Sequence, residues 1–122
     1  MRTDVGLVRL LAEEEPVRTL LGDLILDRGW RLEEEGARTR RTVVVAQVLR
    51  GRGVLRALSE ARLHHPGSPV VLVLPAPDDR LQEQAIRLGA CCCYALGRPV
   101  AELFQALEVA WATGPTDEER TR

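Results

Sequence analysis

The sequence predicts an α/β domain: a parallel sheet with helices on both faces. Three observations carry that prediction. Short apolar runs alternate with stretches of helical period along nearly the whole chain. The inner runs, "TVVVAQVL" (42–49) and "GSPVVLVLPAP" (67–77), are almost continuously apolar at their centres, as strands covered on both faces must be. Glycine and proline clusters separate the runs from their neighbours. At 122 residues the chain makes one domain, able to bury roughly two thirds of the surface its unfolded form exposes.

In chain order, residues 5–11, Val-Gly-Leu-Val-Arg-Leu-Leu, read as a mostly apolar strand. Pro16 suits a helix N-terminus, where Glu13, Glu14 and Glu15 meet the positive end of the macrodipole. Val17, Leu20, Leu21, Leu24 and Ile25 then recur on one helical face, and Gly29 closes the helix. "WRLEEE" (30–35) reads as a short, polar, edge-like strand. The link "GARTRR" (36–41) spans about 20 Å when extended, enough to cross a sheet as a loop but too short to include a helix. The alternative is a different local arrangement of residues 30–49, such as a hairpin.

Residues 42–49 are a β-branched strand, and the glycines of "RGRG" (50–53) mark the loop after it. Val54, Leu55, Leu58 and Ala61 carry a helix to about His64. Residues 67–77 hold the next buried strand. Asp78 or Asp79 then caps a helix that uses Leu81, Ala85 and Leu88 and ends at Gly89. "CCCYAL" (91–96) is the last core strand. Val100, Leu103, Phe104, Leu107, Ala110 and Trp111 form the apolar face of the final helix, and "TGPTDEERTR" (113–122) is a polar tail.

Composition removes several functions. The net charge is −1, so no global field draws the chain to nucleic acid or membrane. No apolar run approaches ~20 residues and the N-terminus lacks a signal-peptide core, so a cytoplasmic location and no membrane association are expected. Every basic side chain other than His64 and His65 is arginine; the chain has no lysine. The three cysteines are consecutive, Cys91-Cys92-Cys93, without the C-x-x-C spacing of zinc or redox sites. As strand residues, Cys91 and Cys93 would face one side and Cys92 the other, each acting as a small buried apolar group. His64 and His65 sit where a cation suits a helix C-terminus, and no metal site is predicted from them. Gly51 and Gly53 are a lone G-x-G, too little for a nucleotide site. Arg38, Arg40, Arg41, Arg50, Arg52 and Arg56 make a locally basic stretch, read as a solvated, ion-paired surface, with Glu13–Glu15 and Glu33–Glu35 as candidate counter-charges.

Three stretches together resemble one family. "LLAEEEPVRTLLGDLILDRGW" is similar to the opening of a response regulator receiver domain (CheY-like), "SPVVLVLPAPDD" to its fourth strand and following loop, and "AIRLGACCCYALGRPVAELFQALEVAW" to the end of its fourth helix, fifth strand and last helix. The resemblance implies a flavodoxin-like, three-layer α/β/α sandwich with a five-stranded parallel sheet ordered 2-1-3-4-5, here with its second helix shortened or absent. Residues 1–112 would form the receiver-like domain and 113–122 a tail or linker.

The same resemblance locates a phosphorylation site and shows what is missing from it. Active receivers hold Mg²⁺ with two carboxylates after the first strand and accept a phosphoryl group on an Asp ending the third. A Thr or Ser after the fourth strand and a Lys after the fifth contact its oxygens, so that transfer is driven by positioning and charge neutralisation. Glu13 and Glu14 fall on the metal carboxylates. The acceptor position offers Gln47, or Ala46 under a one-residue shift, and no carboxylate occurs anywhere between residues 36 and 59. Pro75 stands at the Thr/Ser position; Gly97 stands at the Lys position, with Arg98 beside it and Pro99 after. Arginine is a different tool from lysine there. Two orphaned glutamates leave only weak residual Mg²⁺ binding, and neither a cofactor nor a metal site is expected.

The resulting expectation is a pseudo-receiver: a non-enzymatic, phosphorylation-independent interaction module in signal transduction or transcription control. Its partner, another protein or a second copy, would meet the face made by the family's fourth helix, fifth strand and fifth helix, with Arg87, Tyr94, Arg98 and Glu102 as interface candidates. The tail would lead to a downstream output domain. The rival expectation is a small ligand- or nucleotide-binding protein, or an enzyme, on the same fold.

Overall fold

The computed structural model describes residues 6–33 and 42–113. Its elements are β1 (Leu7–Leu11), α1 (Glu15–Asp27), β2 (Arg31–Leu32), β3 (Val43–Gln47), α2 (Val54–His64), β4 (Val70–Leu74), α3 (Asp79–Arg87), β5 (Cys92–Ala95) and α4 (Val100–Thr113). The sheet order is β2-β1-β3-β4-β5, every pair parallel, which is the expected 2-1-3-4-5 arrangement. Val8 pairs with Val43, Val44 with Val70, and Val71 with Cys92, so the strands' C-terminal ends gather along one edge.

Alternation along the strands builds two cores. Val8, Val43, Val45, Val71, Val73 and Tyr94 face Leu21 and Ile25 of α1 and Leu103, Ala106, Leu107 and Ala110 of α4. On the opposite face, Val44, Ala46, Leu72 and Leu74 meet Val54, Leu58 and Ala61 of α2 and Ala85 of α3. Every residue of β4 is buried, which is why its sequence carries no polar alternation. Asp78 is the cap of α3: its Oδ1 accepts from the Arg80 and Leu81 amides at 3.0 and 3.1 Å.

Three expectations need correction. The hairpin alternative for residues 30–49 fails, because β2 and β3 each pair parallel to β1 on its two sides. The edge strand read over 30–35 contracts to Arg31–Leu32. Trp30 turns into the core, edge-on to Trp111 with centroids 5.8 Å apart, and Glu33 is buried. Cysteine alternation also fails at its first member: Cys91 precedes β5, and Cys91 and Cys92 both pack against the α1/α4 core while Cys93 packs against the other. All three are half-buried. The expected shortening of the helix after β2 falls on residues 34–41, outside the described residues; four helices are present among those described. The polar tail from 114 onward also lies outside them. No described helix is long and apolar enough to cross a membrane.

Candidate functional site

Parallel strands release their chain at one edge, and loops there carry ligand sites in sheets of this kind. Glu13 and Glu14 lie in the β1–α1 connection and are exposed. Gln47 is the last residue of β3, Pro75 follows β4 directly, and Gly97 lies two residues past β5. Since Gln47 pairs with Val73 and Leu74 with Ala95, the sheet register brings Gln47, Pro75 and Gly97 to the same edge.

Gln47 and Glu14 hold each other. The Gln47 amide Nε2 donates to Glu14 Oε1 at 2.8 Å, and the Glu14 backbone N–H donates to Gln47 Oε1 at 3.4 Å. An amide supplies no anionic oxygen to a phosphorus centre and forms no mixed anhydride. The clasp also occupies one of the four carboxylate oxygens of Glu13 and Glu14. Octahedral Mg²⁺ requires oxygen donors at about 2.0–2.1 Å. Glu13 and Glu14 are the carboxylates available there, one oxygen already engaged by the clasp, and no third carboxylate joins them at position 47. Among the described residues no group of three His, Cys, Asp or Glu side chains is placed to hold a metal.

The other positions are equally unlike a phosphate clamp. Pro75 has neither hydroxyl nor N–H. Gly97 has φ +98°, in the left-handed region that favours glycine, and nothing within 4 Å of where a Cβ would stand. Backbone conformation, not crowding, therefore disfavours a side chain there.

Beside Gln47 lies a cavity of about 260 Å³ with an apolar floor including Leu11, Ala46 and Ala57 and a polar rim of Glu13, Arg18, Glu60 and His64. The sequence reading missed Arg18, Glu60 and His64 as lining residues of this cavity. A signal existed: Ala57, Glu60 and His64 recur at helical spacing on one face of α2. Arg52 and Arg56 of the basic stretch also line the edge next to Glu13, and Arg56 pairs with Glu60 at 3.8 Å. Arg38, Arg40 and Arg41 lie outside the described residues.

The interface candidates divide by exposure. Arg87 is largely exposed, 3.8 Å from Glu83 on the same helix. Arg98 grips Glu102 with two nitrogens at 3.2 and 2.6 Å, and that hydrogen-bonded pairing holds the Glu102 carboxyl below its ordinary range. Tyr94 is buried, and its hydroxyl donates to the Arg98 carbonyl at 2.8 Å. Arg87 is thus exposed on α3, while Arg98 and Glu102 form a partly exposed pair at the start of α4 with Tyr94 buried beside Arg98.

No protein-family model matches the chain, and none of the curated proteins matches it. Solved structures do. A response regulator from Thermotoga maritima superposes with a TM-score of 0.66 at 13% identity, covering 88% of this chain and 98% of its own. NtrX from Brucella abortus, solved in complex with ADP, gives 0.69 at 20% identity, covering 90% of this chain but only 27% of NtrX. A response regulator from Burkholderia pseudomallei, bearing a phosphorylated aspartic acid with calcium and citrate, gives 0.60 at 14% identity over 85% of this chain and 66% of its own. The chain therefore has the receiver fold of response regulators, at identities that establish the fold alone.

Proposed function

We propose that the chain is an atypical receiver-like module that works by protein interaction in signal transduction or transcription control, without phosphorylation. The observation that carries this reading is the Gln47–Glu14 clasp: the residue at the acceptor position is an amide, and its hydrogen bond goes to a carboxylate that would otherwise serve a cation. Absence of lysine from the whole sequence supports it, because the charge that would neutralise a bound phosphoryl group has no source of that kind. The output belongs to a partner protein or a second copy meeting the α3–β5–α4 face. Arg87, Arg98 and Glu102 supply charge-based specificity there, since exposed pairs set register and on-rate more than affinity. The domain would occupy residues 1–112, with 113–122 leading to an output domain, and would reside in the cytoplasm.

A small-ligand or enzymatic reading has one observation behind it, the cavity beside Gln47. Its volume of about 260 Å³ lies near the small end of the ~300–1,000 Å³ of usual ligand pockets, and Gln47, which lines it, is already engaged with Glu14.

Sedimentation of the full chain over a concentration series, with and without Mg²⁺ and acetyl phosphate, tests the proposal. Concentration-dependent association that ignores the donor and weakens in Arg87→Glu or Arg98→Glu supports it. Association switched on by the donor overturns it.

A further inference from the structure

Far from that edge, at the beginning of β5, two thiols meet. Adjacent residues of a regular strand point to opposite faces. Cys91 escapes this rule because it lies one residue before β5, where its backbone N–H donates to the Val70 carbonyl at 2.8 Å. Its side chain therefore falls on the same face as that of Cys92, and both pack against the core beneath α4. The two Sγ atoms are 3.8 Å apart. Cys93 points to the other core.

That spacing has a chemical meaning. Two thiolates on one tetrahedral ion, each about 2.3 Å from the metal, stand about 3.8 Å from each other. A direct disulfide needs about 2.05 Å, and it ordinarily joins Cα atoms farther apart than the about 3.8 Å of a trans peptide. The pair thus already stands within the span of a single bridging thiophilic atom, while direct closure to a disulfide is disfavoured. Both residues are half-buried rather than enclosed.

We propose that Cys91 and Cys92 form a bidentate thiol site for a thiophilic centre, either a soft d¹⁰ cation or trivalent arsenic. Its remaining coordination positions are open to water or to a ligand from another molecule. Uptake needs no oxidant. With an aryl arsenoxide, two S–H bonds break and two As–S bonds form; both protons leave with the arsenoxide oxygen as water, and arsenic stays trivalent. With a divalent cation, the ion displaces the two thiol protons.

The test uses the full-length folded protein, phenylarsine oxide and, separately, Cd²⁺. Intact-mass measurement should show one arsenical per chain in the wild type and in Cys93→Ser, and none in Cys91→Ser or Cys92→Ser. The Cys91→Ser variant keeps the adjacent pair Cys92-Cys93, whose side chains face opposite cores, so the fold itself supplies the control. Adding urea should let Cys91→Ser react as well. Cd²⁺ should raise a thiolate charge-transfer band in the same two competent proteins; a band without an arsenical adduct, or the reverse, assigns the site to the cation or to arsenic. Circular dichroism on each variant confirms that a lost adduct is not a lost fold. An adduct that survives Cys91→Ser in native buffer, or the absence of both adduct and band from the folded wild type, overturns the proposal.

Discussion

A carboxamide and a carboxylate differ by one atom, and at position 47 that atom decides what the sheet edge can do. An acid there would stand beside Glu14, which now accepts a 2.8 Å hydrogen bond from the amide. Gln47→Asp should therefore lose the clasp and gain like-charge repulsion, lowering stability by about 1 kcal/mol. The same change completes a three-carboxylate set, so Mg²⁺ should raise the thermal midpoint of the variant and leave the wild type nearly unmoved. An equal Mg²⁺ response in the two proteins contradicts the argument. His65 supplies a second residue-level prediction. Its imidazole is 3.5 Å from the buried Glu33 carboxylate, yet its pKa lies below 6.5, because desolvation outweighs Glu33 and is reinforced by Arg9 and His64. A histidine lowered on folding binds more protons when unfolded, so its contribution is present above 6.5 and is lost as pH falls through the folded value. Urea midpoints should drop on acidification through this window, and His65→Gln should flatten part of that slope.

The elements depend on a few contacts that admit little substitution. Asp78 satisfies two backbone donors at the start of α3, so Asp78→Ala should cost about 1 kcal/mol, read as a shift in the denaturation midpoint at unchanged slope. Gly6, just before β1, has no room for a methyl group: an added Cβ would stand 2.1 Å from the Trp30 ring. Gly6→Ala should destabilise by about 1–3 kcal/mol and disturb Trp30 fluorescence. Both positions show how far the sequence could be read. The acidic cap before an amphipathic run was legible, as were the inner strands, because burial on both faces leaves an unbroken apolar run. The close approach of Gly6 to Trp30 was not legible, since it depends on where a ring 24 positions later returns. The clasp was half legible. The family resemblance puts both Gln47 and Glu14 at site positions, but a hydrogen bond spanning 33 residues is set by the register of β1 against β3. The Cys91–Cys92 contact escaped notice for a local reason: period-two reasoning holds only inside a strand, and β5 begins one residue late.

At the scale of the molecule, the five-stranded sheet and its two cores reproduce the frame of response regulator receivers, while Gln47, Pro75 and Gly97 stand at the strands' C-terminal edge. Fold and site thus carry separate information. The α/β class follows from alternating apolar runs and the strand order from the family resemblance, but activity depends on three or four side chains whose replacement leaves the core intact. Under the proposed function, the molecule would keep a receiver's frame without its switch, and α3, β5 and α4 would present a constant face to a partner. The most direct measurement is intact-mass analysis of the full chain after incubation with acetyl phosphate and Mg²⁺, followed by localisation of any adduct. The account predicts an unchanged mass at every time point. A phosphoryl group on an aspartate or glutamate of the sheet's C-terminal edge, released by hydroxylamine, would contradict it.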